Sequence, residues 1–172
     1  MSKWFGLAVT SLFVVLSAFS TYVLWTLVGW RIGVQVLVTL IIAGVGEHHV
    51  SGRGYYHYTS INGIFVGRVP VWIPFMWVFA CHFFHLLSLA VGLTGHWIVI
   101  GTGMLGMLTD LSLVEPLFSR VKGLWLWTPV ERGYFSFIPS QFNRFTAPPG
   151  NYIVWFGFPA LMCLLLMALQ LL

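Results

Sequence analysis

Charge is what this chain has least of. Aspartate, glutamate, lysine and arginine make up 7% of 172 residues, and only four of them are acidic. A water-soluble domain covers its surface with roughly 25% charged residues, so a mean hydropathy of +0.91 on so little charge excludes a soluble globular protein. The eight basic residues are never clustered into a stripe, which excludes a groove that tracks nucleic acid. Cysteine is confined to Cys81 and Cys163, far apart and each inside an apolar run, so a disulfide framework is excluded too. Internal repeats and low-complexity tracts are also missing, and residues 1–172 read as one integral membrane domain.

The charge-poor stretches are long. Trp4 to Trp30 carries no formal charge and, at about 1.5 Å per helical residue, exceeds the roughly 30 Å hydrocarbon layer. Its apolar run is too long for a secretory signal and no small-residue cleavage pattern follows. Ile32 to Gly46 reaches span length only if the helix continues through Glu47, His48 and His49. Val69 to Gly95 is a third span, Trp97 to about Phe118 a fourth that must include Asp110, and Tyr152 to Leu172 a fifth. The expected fold class is therefore all-α: a polytopic transmembrane helical bundle of about five spans, with an interfacial or re-entrant aromatic segment before the last.

Five spans put Lys3, Arg53, Arg68, Arg120, Lys122, Arg132 and Arg144 on one side and Arg31 on the other. Basic residues bias short loops to the cytoplasmic face, so the expected orientation is N-terminus cytoplasmic and C-terminus opposite. The formal charge of +4 reads as this topology signal together with attraction to anionic lipid headgroups.

Two polar segments fall on the cytoplasmic side. The first, Glu47 to Arg68, is rich in Gly and Tyr; the second, Glu115 to Gly150, mixes Trp125 and Trp127 with Arg120, Lys122, Glu131, Arg132 and Asn143 before Pro148 and Pro149. Aromatic residues in such loops also serve as headgroup anchors, the role expected of Trp4, Trp30 and Trp97. An ionisable group within a span costs on the order of 3 kcal/mol or more at the bilayer centre unless paired or hydrated. Glu47, Asp110 and Glu115 are thus three candidate functional acids, with Asp110 forced deepest; pairing with Arg53, Arg120 or backbone groups is their structural role. Asp110 and Glu115, five apart, would not share a face of an ideal α-helix, although Pro116 biases Glu115 away from helical geometry. His82 and His85, in CHFFH, do share a face. They are too few for a multi-histidine metal site and suit hydrogen bonds between helices, so neither metal nor cofactor is expected.

Three motifs follow one another between residues 44 and 145: Glu47 followed by GRGYYHY, the run GRVPVWIPFMW from Gly67 to Trp77, and Asp110 to Glu115-Pro116 followed by GLWLW, Tyr134, Phe135, Pro139 and Asn143. In this order they resemble the membrane-embedded carotenoid biosynthesis protein family, whose characterised members include carotenoid 1,2-hydratases and the bisanhydrobacterioruberin hydratase of haloarchaea. The resemblance implies addition of water to the terminal trisubstituted double bond of an acyclic carotenoid, a hydrophobic polyene, to give a tertiary alcohol. Protonating an alkene requires a carboxylic acid that is neutral at physiological pH, which burial favours; Asp110 or Glu115 fits, and Glu47 can orient the attacking water. Tyr55, Tyr58, Trp72, Trp77, Trp125 and Trp127 are aromatic candidates to stabilise the tertiary cation. The rival from another class is a non-catalytic subunit that packs against other membrane subunits and binds pigment or lipid.

Overall fold

The computed structural model describes residues 3–130, 134, 135, 137–139, 145 and 147–171. Glu131, Arg132, Asn143 and Arg144 of the second polar segment lie outside the described residues. Among the described residues five helices are long and apolar enough to cross a bilayer, and the protein is a multi-pass, all-α membrane bundle.

Helix α1 runs over Lys3–Val28 and α2 over Arg31–Gly52, so the second helix does continue through Glu47. Gly54, at φ +80°, lies just past its end, in the left-handed conformation that glycine adopts without penalty. The chain then forms strand β1 (Tyr56–Tyr58), a short 3₁₀ turn (Ser60–Asn62) and the ribbon of β2 (Phe65–Val66) with β3 (Val69–Pro70). This ribbon takes up the residues at which a third span was expected to begin, and helix α3 covers Trp72–Ala90. Helix α4 (His96–Thr109) runs without a break into a π-helical segment, Asp110–Val121. Strand β4 (Trp125–Trp127) follows, and α5 spans Pro149–Gln170 with proline in its first turn, where a missing N–H costs nothing.

Small residues set the closest helix contacts, as expected where lipid supplies little hydrophobic drive for association. A Cβ on Gly106 would stand 2.4 Å from the Trp155 carbonyl oxygen, and one on Gly103 2.7 Å from that of Phe156, so α4 and α5 meet backbone to backbone. Gly6 of α1 sits equally close to the Asn62–Gly63 peptide, which places the start of the chain on the same side as the loop between α2 and α3. Buried α3 is the centre of the bundle: Trp72 is wholly enclosed, stacks on Phe13 of α1 at 5.5 Å and donates its indole N–H to Asn62 Oδ1 at 3.2 Å. Around it the outer helix faces carry exposed Leu, Ile, Val and Phe side chains toward lipid. Trp4, Trp30 and Trp97 are exposed as well, as anchors would be.

A second polar layer crosses the bundle through α3. His82 Nδ1 lies 3.1 Å from Ser20 Oγ of α1 and its Nε2 2.9 Å from Gln35 Oε1 of α2, while His85 Nδ1 lies 3.1 Å from Cys163 Sγ of α5. The two histidines therefore bond to different helices, and no three of His, Cys, Asp and Glu are placed to hold a metal ion among the described residues.

Candidate functional site

The two polar loops meet. β1 pairs antiparallel with β4, Tyr56 opposite Trp127 and Tyr58 opposite Trp125, so the segment expected to be interfacial or re-entrant contributes a strand. Side chains alternate across a strand, and the intervening His57 and Leu126 are exposed. Tyr56, Tyr58, Trp125 and Trp127 consequently share one face of the ladder, and that face covers two glutamates.

Glu47, at the end of α2, receives the phenol hydroxyls of Tyr56 and Tyr58 on Oε2, the latter at 2.8 Å, and the indole N–H of Trp77 on Oε1 at 3.0 Å. Burial, and next the Glu47 carboxylate, hold both phenols well above the ordinary tyrosine range, so they remain neutral donors. Glu115, 1% exposed, receives Trp125 Nε1 at 3.1 Å on Oε1 and Trp127 Nε1 at 3.0 Å on Oε2. The two carboxyls thus stand under one aromatic ladder, Glu47 held by two phenols from β1 and Glu115 by two indoles from β4.

Asn151, in the first turn of α5, adds a bridge. Its Nδ2 donates to Asp110 Oδ2 at 2.6 Å and to Glu115 Oε1 at 3.3 Å, so one amide serves both acids. The π-helical backbone makes this convergence possible. Its i→i+5 hydrogen bonds bring residues five apart toward one face, whereas an α-helix turns them well away from each other. The chain stays helical through Pro116, and the widened turn rather than a break at proline aligns the pair. Asp110 is fully buried, and its Oδ1 has no hydrogen-bond partner among the described residues.

Between these groups lies a cleft lined by Glu47, Tyr56, Tyr58, Ile73, Met76, Trp77, Glu115, Trp125, Trp127, Asn151 and Trp155. The space within it open to a water-sized sphere is about 40 Å³, enough for ordered water between polar walls. Of the nine residues singled out from the sequence, Glu47, Glu115, Tyr58, Trp77, Trp125 and Trp127 border this cleft. Asp110 stands behind it, joined through Asn151. Tyr55 and Trp72 are not brought to it: Tyr55 is exposed, on the parity of the strand opposite to Tyr56, and Trp72 is spent on the α1 contact. Sequence reasoning missed Tyr56, for which strand alternation was the available signal, and Asn151, a lone amide without one. Compared with family models, with curated proteins and with solved structures, the chain matches none.

Proposed function

We propose that this protein is a membrane hydratase that adds water to a terminal C=C bond of an acyclic carotenoid or similar polyene. The observation that carries the reading is the acid pair bridged by Asn151, with Glu115 on an aromatic cleft and Asp110 fully buried behind it. Carboxyl groups this close in a low-dielectric site do not both ionise readily. The pair holds one proton, delivered to substrate at Glu115, which faces the cleft. Protonation at the less substituted alkene carbon leaves the positive charge on the tertiary carbon, which the carboxylates and aromatic walls stabilise. A water oriented by Glu47 attacks that carbon, and its released proton restores the acid pair, so alkene plus water gives tertiary alcohol with no other reactant.

The test is expression beside an acyclic carotenoid pathway in water labelled with heavy oxygen. The expected product is a tertiary alcohol carrying the label; unchanged pigment despite folded protein and supplied substrate would overturn the reading. A second reading, a non-catalytic pigment- or lipid-binding subunit, is favoured by a different feature. A laterally open apolar groove of roughly 540 Å³ lies between α1, α2 and α3, lined by Val14, Trp25, Leu40 and Phe75 among others. Under it, pigment copurifies unaltered. Both readings keep the N-terminus and the two polar loops cytoplasmic, and a C-terminal tag should be reachable only from the opposite side; a cytoplasmic tag would overturn that orientation.

A further inference from the structure

Four of the donors to Glu47 and Glu115 arrive on a ladder that cannot set its own register. Strands β1 and β4 have three residues each and, among the described residues, each pairs only with the other. Two short strands are at best marginally stable alone, and here helices α3 and α4 intervene between them where a tight turn would otherwise fix the pairing. Register is decisive for the site. A slip of one residue turns every side chain of a strand to the opposite face, which would bring Leu126 to the place where Trp125 and Trp127 meet Glu115.

Just beyond the ladder, Thr59 and Asn62 grip the turn that leads into β4. Thr59 gives its backbone N–H to Leu124 O at 3.0 Å and its hydroxyl to Gly123 O at 2.6 Å. Asn62 Nδ2 donates to Leu124 O at 2.6 Å and to Thr59 O at 2.8 Å, while its Oδ1 accepts from Trp72 Nε1 at 3.2 Å. A side-chain amide has two N–H donors and one carbonyl oxygen, so every group of this wholly buried residue is engaged. The N–H groups of the same turn look the other way: Gly123 donates to Ser119 O and Leu124 to Phe118 O, both at 2.9 Å. The turn is thus held on one side by the π-helical segment that carries Glu115 and on the other by a loop anchored to α3 through Trp72. We propose that Thr59 and Asn62 are positioning residues: they fix the β1–β4 register, and with it the aim of Trp125 and Trp127 at Glu115. Their consequence for catalysis rests on the hydratase reading; their hold on the indoles does not.

Indole N–H resonances report their acceptors directly. In the full-length protein, labelled at tryptophan with the heavy nitrogen isotope and held in nanodiscs, the resonances of Trp77, Trp125 and Trp127 are assigned by single substitutions to phenylalanine. Asn62→Leu keeps the branched shape and removes all three hydrogen bonds of the side chain. The Trp125 and Trp127 resonances should then move toward the position of a free indole and exchange with solvent at least about tenfold faster, whereas Trp77, which donates to Glu47 from α3, should stay in place. Unmoved Trp125 and Trp127 resonances in a folded variant would overturn the proposal. So would equal movement of all three, which marks a general loosening of the fold. Thr59→Val removes a single hydroxyl and carries the same test where Asn62→Leu does not fold: the same two resonances should move, by less, and fixed ones would overturn the clamp. Activity is read separately. Where the parent chain forms labelled alcohol, Asn62→Leu should lower kcat by about tenfold or more, and an unchanged kcat with displaced indoles would overturn the catalytic consequence. A parent chain that forms no labelled alcohol removes the hydratase and leaves the indole resonances to decide the clamp.

Discussion

Two layers of buried polar groups cross this bundle, and they are built differently. In the layer around His82 and His85, neutral groups on α3 reach neutral groups on α1, α2 and α5. In the layer under the β1–β4 ladder, acids gather with neutral donors, one carboxyl oxygen has no partner among the described residues, and open space remains between them. The first arrangement fastens helices together. The second leaves an unsatisfied carboxyl oxygen and open space beside the acids, which fastening alone does not call for.

Substitutions that break the comparison are ordered by their expected effect. Glu115→Gln keeps the size at the cleft but turns one accepting oxygen into a donor and removes the transferable proton, so hydration should fall by about 100-fold or more; a folded variant with full activity would end the acid assignment. Asp110→Asn acts one amide further back and should cost about tenfold, together with a changed shape of the pH–rate profile. A profile of unchanged shape with only lowered yield would mark Asp110 as structural. In the other layer, His82→Leu leaves Gln35 and Ser20 without their shared partner and should lower stability in detergent by about 1 kcal/mol, with activity per folded molecule unaltered. A loss of activity there, measured on the folded fraction, would make the two layers one functional unit.

The smallest effect concerns alkaline pH. Because the folded state holds Tyr56 and Tyr58 above their unfolded value of about 10, their contribution is fully present below that pH and is lost as pH rises through the folded values. Melting temperature should therefore be indifferent to these two phenols up to about pH 10 and decline beyond it. In the Tyr56→Phe, Tyr58→Phe double variant that alkaline decline should be shallower, and an identical slope would show that the pair does not titrate on unfolding.

The spans were legible because each is a run of apolar residues long enough to cross a bilayer, a signal that needs no tertiary knowledge. Glu47 was legible for the same reason, since Ile32 to Gly46 is too short without it. The parity of the tyrosines was available but went unused: alternation in Tyr56-His57-Tyr58 sends the two tyrosines one way, and the same rule joins Trp125 to Trp127. Trp72 and Trp77, five apart on an ordinary α-helix, had to point to different faces, so only one of them can border the cleft. The convergence of Asp110 with Glu115 was not legible, because a π-helical turn leaves no trace in hydropathy. Nor was Asn151, whose position depends on how tightly Gly103 and Gly106 let α5 approach α4.

The ladder also fixes an order of events. Chains are made from the N-terminus onward, so Glu47 meets Tyr56 and Tyr58 within a dozen residues of its own synthesis. Asp110 and Glu115 wait longer: Trp125 and Trp127 come next, and Asn151 arrives only with the fifth helix. Until that helix inserts, the acid pair is unbridged and the cleft has no Trp155 wall. A ribosome stalled after the fourth helix would leave a bundle with an unfinished centre, so the cleft closes only when the fifth helix is in place.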